Sequence, residues 1–320
     1  MTAHTENTEN TEGPDGRTAP PPPGPGPRAL ARRRRRASAA RFWHRYRTHR
    51  SGLLGLAVLA LCALLALSAP WTVGEEVRSV TRATGGPMEG PSARFWLGTD
   101  QFGRDLWGLL VWGARVSLLV GLLAAVLSVA IGALVGITAG HFGGWYGTLA
   151  MRVTDWFLVM PTLVLAIALA TVLSRSLGTV VLAIGVTTWP TTARLVRAQT
   201  LAVESRPYIE RARALGGGHR HVMTRHVLPN VLPLVLAQTT LGISAAILAE
   251  ATLAFLGLGD PTVTSWGGML QDAREAGAVS AGHWWYLVPP GAAIATVALA
   301  FTLCGRAVES VLNPRLGASG

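Results

Sequence analysis

Six apolar stretches, near 52–71, 116–139, 155–174, 177–193, 229–256 and 285–307, divide this sequence. A helix needs roughly 20 apolar residues to cross the hydrocarbon core of a bilayer. The stretches therefore predict an all-α membrane protein with six transmembrane helices, their boundaries placed to within several residues. Composition agrees, because half the residues are hydrophobic and only 14% are charged, unlike a water-soluble domain. The fourth stretch is short and follows the third closely, which predicts a tight helical hairpin. Pro229 opens the fifth, where the missing proline N–H would be unpaired in any case.

The formal net charge of +11 comes from arginine alone, since the sequence has no lysine. A Walker A phosphate loop needs a lysine after its glycines, so nucleotide hydrolysis by that route is excluded. Cys62 and Cys304 lie within apolar runs, which argues against a disulfide or a thiol metal site.

Arginine placement predicts orientation. Residues 1–50 hold eleven arginines against four acids, and 194–226 hold seven against Glu204 and Glu210. Residues 71–115 balance five with five, and 257–284 carry Arg274 against Asp260, Asp272 and Glu275. The arginine-rich segments face the cytoplasm on this reading, and both termini are cytoplasmic. Residues 1–40 form a disordered cytoplasmic tail, with the proline-rich run PPPPGPGP unable to bury a core. Residues 41–115 comprise an interfacial helix, the first span and an outward loop. Residues 116–307 form a five-helix core that includes a cytoplasmic loop at 194–228, and 308–320 a cytoplasmic C-terminal tail. The arginines and aromatics of 41–50 fit a surface lying on anionic headgroups; no nucleic-acid partner is expected.

The polar island ESRPYIERARALGGGHRHVMTRHVLPNVLP, Glu204 to Pro233, separates two apolar stretches. Tyr208–Leu215 reads as a short helix with Ile209, Ala212 and Leu215 on a narrow apolar stripe. Gly216, Gly217 and Gly218 stop it, and His219–His226 form another short turn. A brief helix with a glycine stop is shaped to sit in a partner's groove. His219, His221 and His226 lack a shared face and acidic or thiol co-ligands, so no metal site is expected.

Elsewhere, Gly132, Gly136 and Gly140 repeat every four residues on one face, a stripe that favours close backbone packing. Glu250 is an acid within an apolar run, facing the substrate path, a subunit interface or the outer headgroups. Asp155 and Arg152 are expected to form a local pair, and Arg175 to snorkel. Asp100, Arg104 and Asp105 read as an elbow held by local ion pairs. Trp266, Trp284 and Trp285 suit an interfacial belt.

The loop ERARALGGGHRHVMTRHVLPNVLP resembles the cytoplasmic "EAA" loop of ABC-importer permease subunits, with Glu210, Ala212, Ala214 and Gly216 near its start and Val227, Leu228 and Pro229 near its end. LGTDQFGRDLWGLLVWGARVSL (97–118), ATLAFLGLGDPTVTSWGGML (251–270) and WWYLVPPGAAIATVALAFTLCGRAVESVLNPRL (284–316) resemble blocks of the dipeptide/oligopeptide/nickel C-type subunits. This resemblance covers roughly residues 41 to 316. It implies a type I ABC-importer permease architecture and a non-catalytic subunit that binds no cofactor itself, with ATP on partner subunits.

The implied partners are a homologous permease subunit, two cytoplasmic ABC ATPases, an extracytoplasmic substrate-binding protein and the lipid bilayer. The implied ATPase-coupling residues are Glu204, Arg206, Tyr208, Ile209, Glu210, Ala212, Arg213, Ala214, Leu215, Gly216, Leu228 and Pro229, with Glu250 a candidate on the translocation path. Peptides are the expected cargo; nickel chelates or opines are alternatives within the class. An ion-gradient secondary transporter is the alternative outside it, and predicts inverted repeats and several intramembrane acids.

Overall fold

The computed structural model describes residues 40–312, and the expectations for tail residues 1–39 and 313–320 lie outside them. The chain divides at His44; of the part before this point, 40–44 are described and are helical. From Arg45 onward the helices are α1 (Arg50–Thr72), α2 (Leu106–Phe142), α3 (Gly144–Val159), α4 (Thr162–Val172), α5 (Leu177–Glu204), α6 (Pro207–Ala214), α7 (His219–Val222), α8 (Leu228–Phe255), α9 (Trp266–Glu275) and α10 (Trp284–Leu312). No strand occurs among the described residues beyond one isolated Thr99–Asp105 bridge.

Five helical rods, α1, α2, α5, α7–α8 and α10, are each long and apolar enough to cross a bilayer. The third apolar stretch departs from the single span expected of it. It is two helices, α3 and α4, meeting at 90°. Pro161 lies at the break: its ring disfavours a helical residue before it, and Met160 is extended at ψ 134°. Counted as one broken span, the pair makes six.

Two other boundaries also move. α2 has 37 residues, about 55 Å against a hydrocarbon core of about 30 Å, so it overruns the apolar stretch at both ends. The fifth span does not begin at Pro229, because helix continues from His219 through the π-helical turn Met223–Val227. The Pro229 ring would clash with the carbonyl four residues back, and the wider turn relieves it. Asn230 Nδ2 donates to the His226 carbonyl at 2.7 Å, satisfying one oxygen there.

Chain direction follows from the contacts. Trp112 Nε1 donates to the Gly74 carbonyl at 2.8 Å, joining the end of α1 to the start of α2. At its other end α1 meets α10 through His49 and Ser310, 2.7 Å apart. The start of α1 and the end of α10 therefore lie at the end of the molecule that carries α6. The opposite end carries an elbow, 73–105, where Asp100 is fully buried and accepts from Arg104 Nε at 2.6 Å and from the Phe102 and Arg104 backbone N–H groups. Asp105 caps α2 by accepting from the Trp107 and Gly108 N–H groups. The local ion-pair elbow is thus present, with Asp105 serving as the cap.

The glycine stripe packs α2 against α5. A Cβ on Gly132, Gly136 or Gly140 would lie 2.6–2.7 Å from Trp189, Thr192, Ala193 or Thr200 atoms. Trp266 departs from the belt reading: it is buried in the core, its Nε1 donating to the Leu110 carbonyl at 2.9 Å. Trp284 is exposed. α1 keeps Leu54, Leu61, Leu64 and Leu67 exposed, the apolar surface a spanning helix offers to lipid.

Candidate functional site

α5 leaves the bundle at Glu204, and the chain re-enters it at Leu228. Pro207 occupies the first turn of α6, where its fixed φ suits helix initiation. At the other end Gly216 adopts φ 87°, a left-handed conformation natural to glycine. The Gly216 N–H donates to the Arg213 carbonyl and the Gly217 N–H to the Ala212 carbonyl, the reverse-turn bonding that closes helices. The glycine stop is therefore where the sequence places it.

Two attachments hold α6. Ile209 is fully buried among Val196, Val203, Val222, Val227 and Val231, with Ile137 of α2 packed alongside. Glu204 supplies the second: its Oε1 lies 2.5 Å from His141 Nδ1 at the end of α2, and its Oε2 accepts from Arg213 Nη2 at 2.5 Å. His141 Nε2 in turn lies 3.0 Å from His219 Nδ1 at the start of α7. One carboxylate thus ties together the ends of α2 and α5, the short helix α6 and, through His141, α7. Sequence reasoning identified Glu204 but missed His141, whose partner is 63 residues away.

The predicted apolar stripe separates in three dimensions. Ile209 points inward, Ala212 is half-buried, and Leu215 is 82% exposed. Arg206, Glu210, Ala214, Leu228 and Pro229 are exposed on the same end of the molecule. Tyr208 stands beside His226, and with Arg211, Leu215, Gly217 and His221 they border a shallow hollow of ≈ 520 Å³. The three histidines are not gathered: His219 faces His141, while His221 meets His226 edge-on.

Glu250 is 3% exposed and accepts from Ser117 Oγ at 3.2 Å, whose oxygen also accepts from the Trp266 backbone N–H at 3.2 Å. It joins α8, α2 and the start of α9 inside the bundle. Asp155 does not pair with Arg152. It accepts from Arg194 Nη2 at 2.6 Å, bracing α3 on α5 across 39 residues of sequence. Arg175 is exposed, bordering a polar hollow of ≈ 280 Å³ with Arg78, Arg104, Asp260 and Asp272. Hydrogen bonds from Thr262 hold the Asp260 carboxyl below the usual range, whereas burial pushes Asp272 up against the opposing pull of Arg104.

Known proteins are similar to this chain in sequence. Residues 132–318 match the family described as "Binding-protein-dependent transport system inner membrane component", and 39–78 match "N-terminal TM domain of oligopeptide transport permease C". A putative peptide transport system permease protein of Brucella abortus is 40% identical over 281 residues, 86% of this chain and 92% of the relative. The dipeptide transport system permease protein of Escherichia coli K12 is 39% identical over 280 residues, 86% and 92% of the two chains. A di/tripeptide transport system permease protein of Pseudomonas aeruginosa is 38% identical over 280 residues, 86% and 91%. The chain is therefore a multi-pass membrane permease that belongs to the binding-protein-dependent transport system inner membrane component family, with the N-terminal segment of the oligopeptide permease C branch.

Proposed function

We propose that this chain is a non-catalytic transmembrane subunit of an ATP-driven importer of peptides. It pairs with a homologous permease, receives cargo from an extracytoplasmic binding protein and is moved by two cytoplasmic ATPases through α6. The relatives' printed names, di- and tripeptide permeases among them, support the cargo. The double attachment of α6 carries the coupling reading. Its buried Ile209 and its Arg213–Glu204 bond fix the inner face, so displacement of the exposed face moves the ends of α2, α5 and α8 with it.

Arg206, Tyr208, Glu210, Ala212, Ala214 and Leu215 then offer the docking face, with Gly216 terminating it and Leu228 and Pro229 beside it. Such coupling requires that the ATPases hold α6 differently in their two nucleotide states, since equal affinity shifts no equilibrium. No observation favours the ion-gradient alternative.

The test is a reconstituted complex carrying Glu210→Arg or Gly216→Pro, assayed for peptide-stimulated ATPase and for dipeptide import. Both variants should lower import at least tenfold while the complex still accumulates. Import at the wild-type rate would remove α6 as the coupling element.

A further inference from the structure

Midway along α2, α5 and α8 lies a hollow of ≈ 310 Å³ that also touches both sides of the α3–α4 break, at Phe157, Leu158 and Thr162. Its size sits at the small end of the roughly 300–1,000 Å³ typical of small-molecule pockets. Its lining carries several polar side chains but no charged one. Ser128, Thr187, Thr188, Thr191 and Gln238 all border it.

Some of those groups are already used. Thr188 Oγ1 donates to Ser128 Oγ or the Ile184 carbonyl, at 2.9 and 2.7 Å, and Thr187 bonds back to Ala183 and Ile184. The side chains of Thr162, Thr191 and Gln238 make no hydrogen bond among the described residues. They come from three different helices, α4, α5 and α8, and meet at one hollow. Thr162 and Thr191 are exposed and Gln238 is part-buried, open to a ligand, and intramembrane polar groups mark transport pathways.

The break supplies an independent observation. Backbone at Met160 and Pro161 is not helical, and non-helical backbone within the hydrocarbon region persists only where protein buries it or it lines a watery cavity. Residues 158–164 are exposed along this side of the single chain. Break and unpartnered polar groups therefore open onto the same space.

Resting on the import reading above, we infer that this hollow is the segment of translocation path contributed by this subunit. Thr162, Thr191 and Gln238 hold a passing peptide through its backbone amides. A peptide amide offers one donor and one acceptor, which hydroxyls and a carboxamide match and a charged side chain does not. A neutral wall of this kind is indifferent to the peptide's side chains and leaves their selection to other parts of the system.

The test uses the full complex in proteoliposomes with radiolabelled alanylalanine. Thr191→Val and Gln238→Leu keep shape and remove hydrogen bonding. Each should lower import about tenfold, the worth of one lost hydrogen bond, and Thr191→Ser should restore import. Import within twofold of wild type for both variants overturns the wall. A wild-type complex that imports no dipeptide overturns the import reading and the wall with it.

Where a variant fails to accumulate, Thr191→Cys in a Cys62→Ala/Cys304→Ala background replaces it. A small hydrophilic thiol reagent should label Thr191→Cys, and saturating alanylalanine during turnover should slow that labelling several-fold. No labelling, or labelling that the dipeptide leaves unchanged, overturns the assignment.

Discussion

Gly136 and Gly218 differ in what surrounds a hydrogen atom. A Cβ on Gly136 would lie 2.6 Å from the Ala193 carbonyl oxygen and 2.8 Å from Val196 Cβ, whereas one on Gly218 meets nothing within 4 Å. Backbone cannot yield as a flexible side chain does, so Gly136→Ala must push α2 away from α5 and should cost about 1–3 kcal/mol, as overpacking does. Gly218→Ala, at an open site with φ −69°, should cost no more than about 0.5 kcal/mol. Thermal unfolding of the two purified variants checks this: a lowered midpoint for Gly136→Ala alone is expected, and equal midpoints would mean that the stripe is not a packing contact. The stripe was legible because a four-residue repeat is a local property of sequence. Glu204's partners were not: His141 precedes it by 63 residues, and nothing in the sequence near either residue points to the other.

At the level of elements, apolar length was the readable quantity and direction was not. Six stretches correspond to five rods and a broken pair, because hydropathy runs unchanged through Pro161 while the backbone does not. The signal was present in the proline itself, but an apolar stretch of spanning length outweighed it. Asp155 shows the same limit: its partner is Arg194 of α5, 39 residues on, and not a neighbour on its own helix. Pro161→Ala restores an N–H and removes the steric ban on a helical Met160. If the proline alone makes the break, spin labels at Val153 and Val172, both exposed, should separate from about 21 Å across a right angle to about 28 Å along a straight helix. Import should fall with them, since the hollow beside the break closes. A distance that stays short would assign the bend to packing of α4 against α5.

For the molecule as a whole, the helix connections place the start of α1, the end of α10 and the α5–α8 loop at one end, so the side of the membrane on which one of them lies settles the others. Arginine supplies the choice, since 194–226 carry seven arginines against two acids and 257–284 one against three, and cytoplasmic loops retain the positive excess. Leu215 and Val279 are exposed at opposite ends, at 82% and 69%. In a Cys62→Ala/Cys304→Ala background, Val279→Cys should react with a membrane-impermeant maleimide on intact cells, and Leu215→Cys only after permeabilisation. The opposite pattern would turn the molecule over. It would carry α6 away from any cytoplasmic ATPase and remove the lever, yet leave the hydroxyl-lined hollow at mid-height untouched, so the coupling and pathway assignments stand or fall on separate measurements.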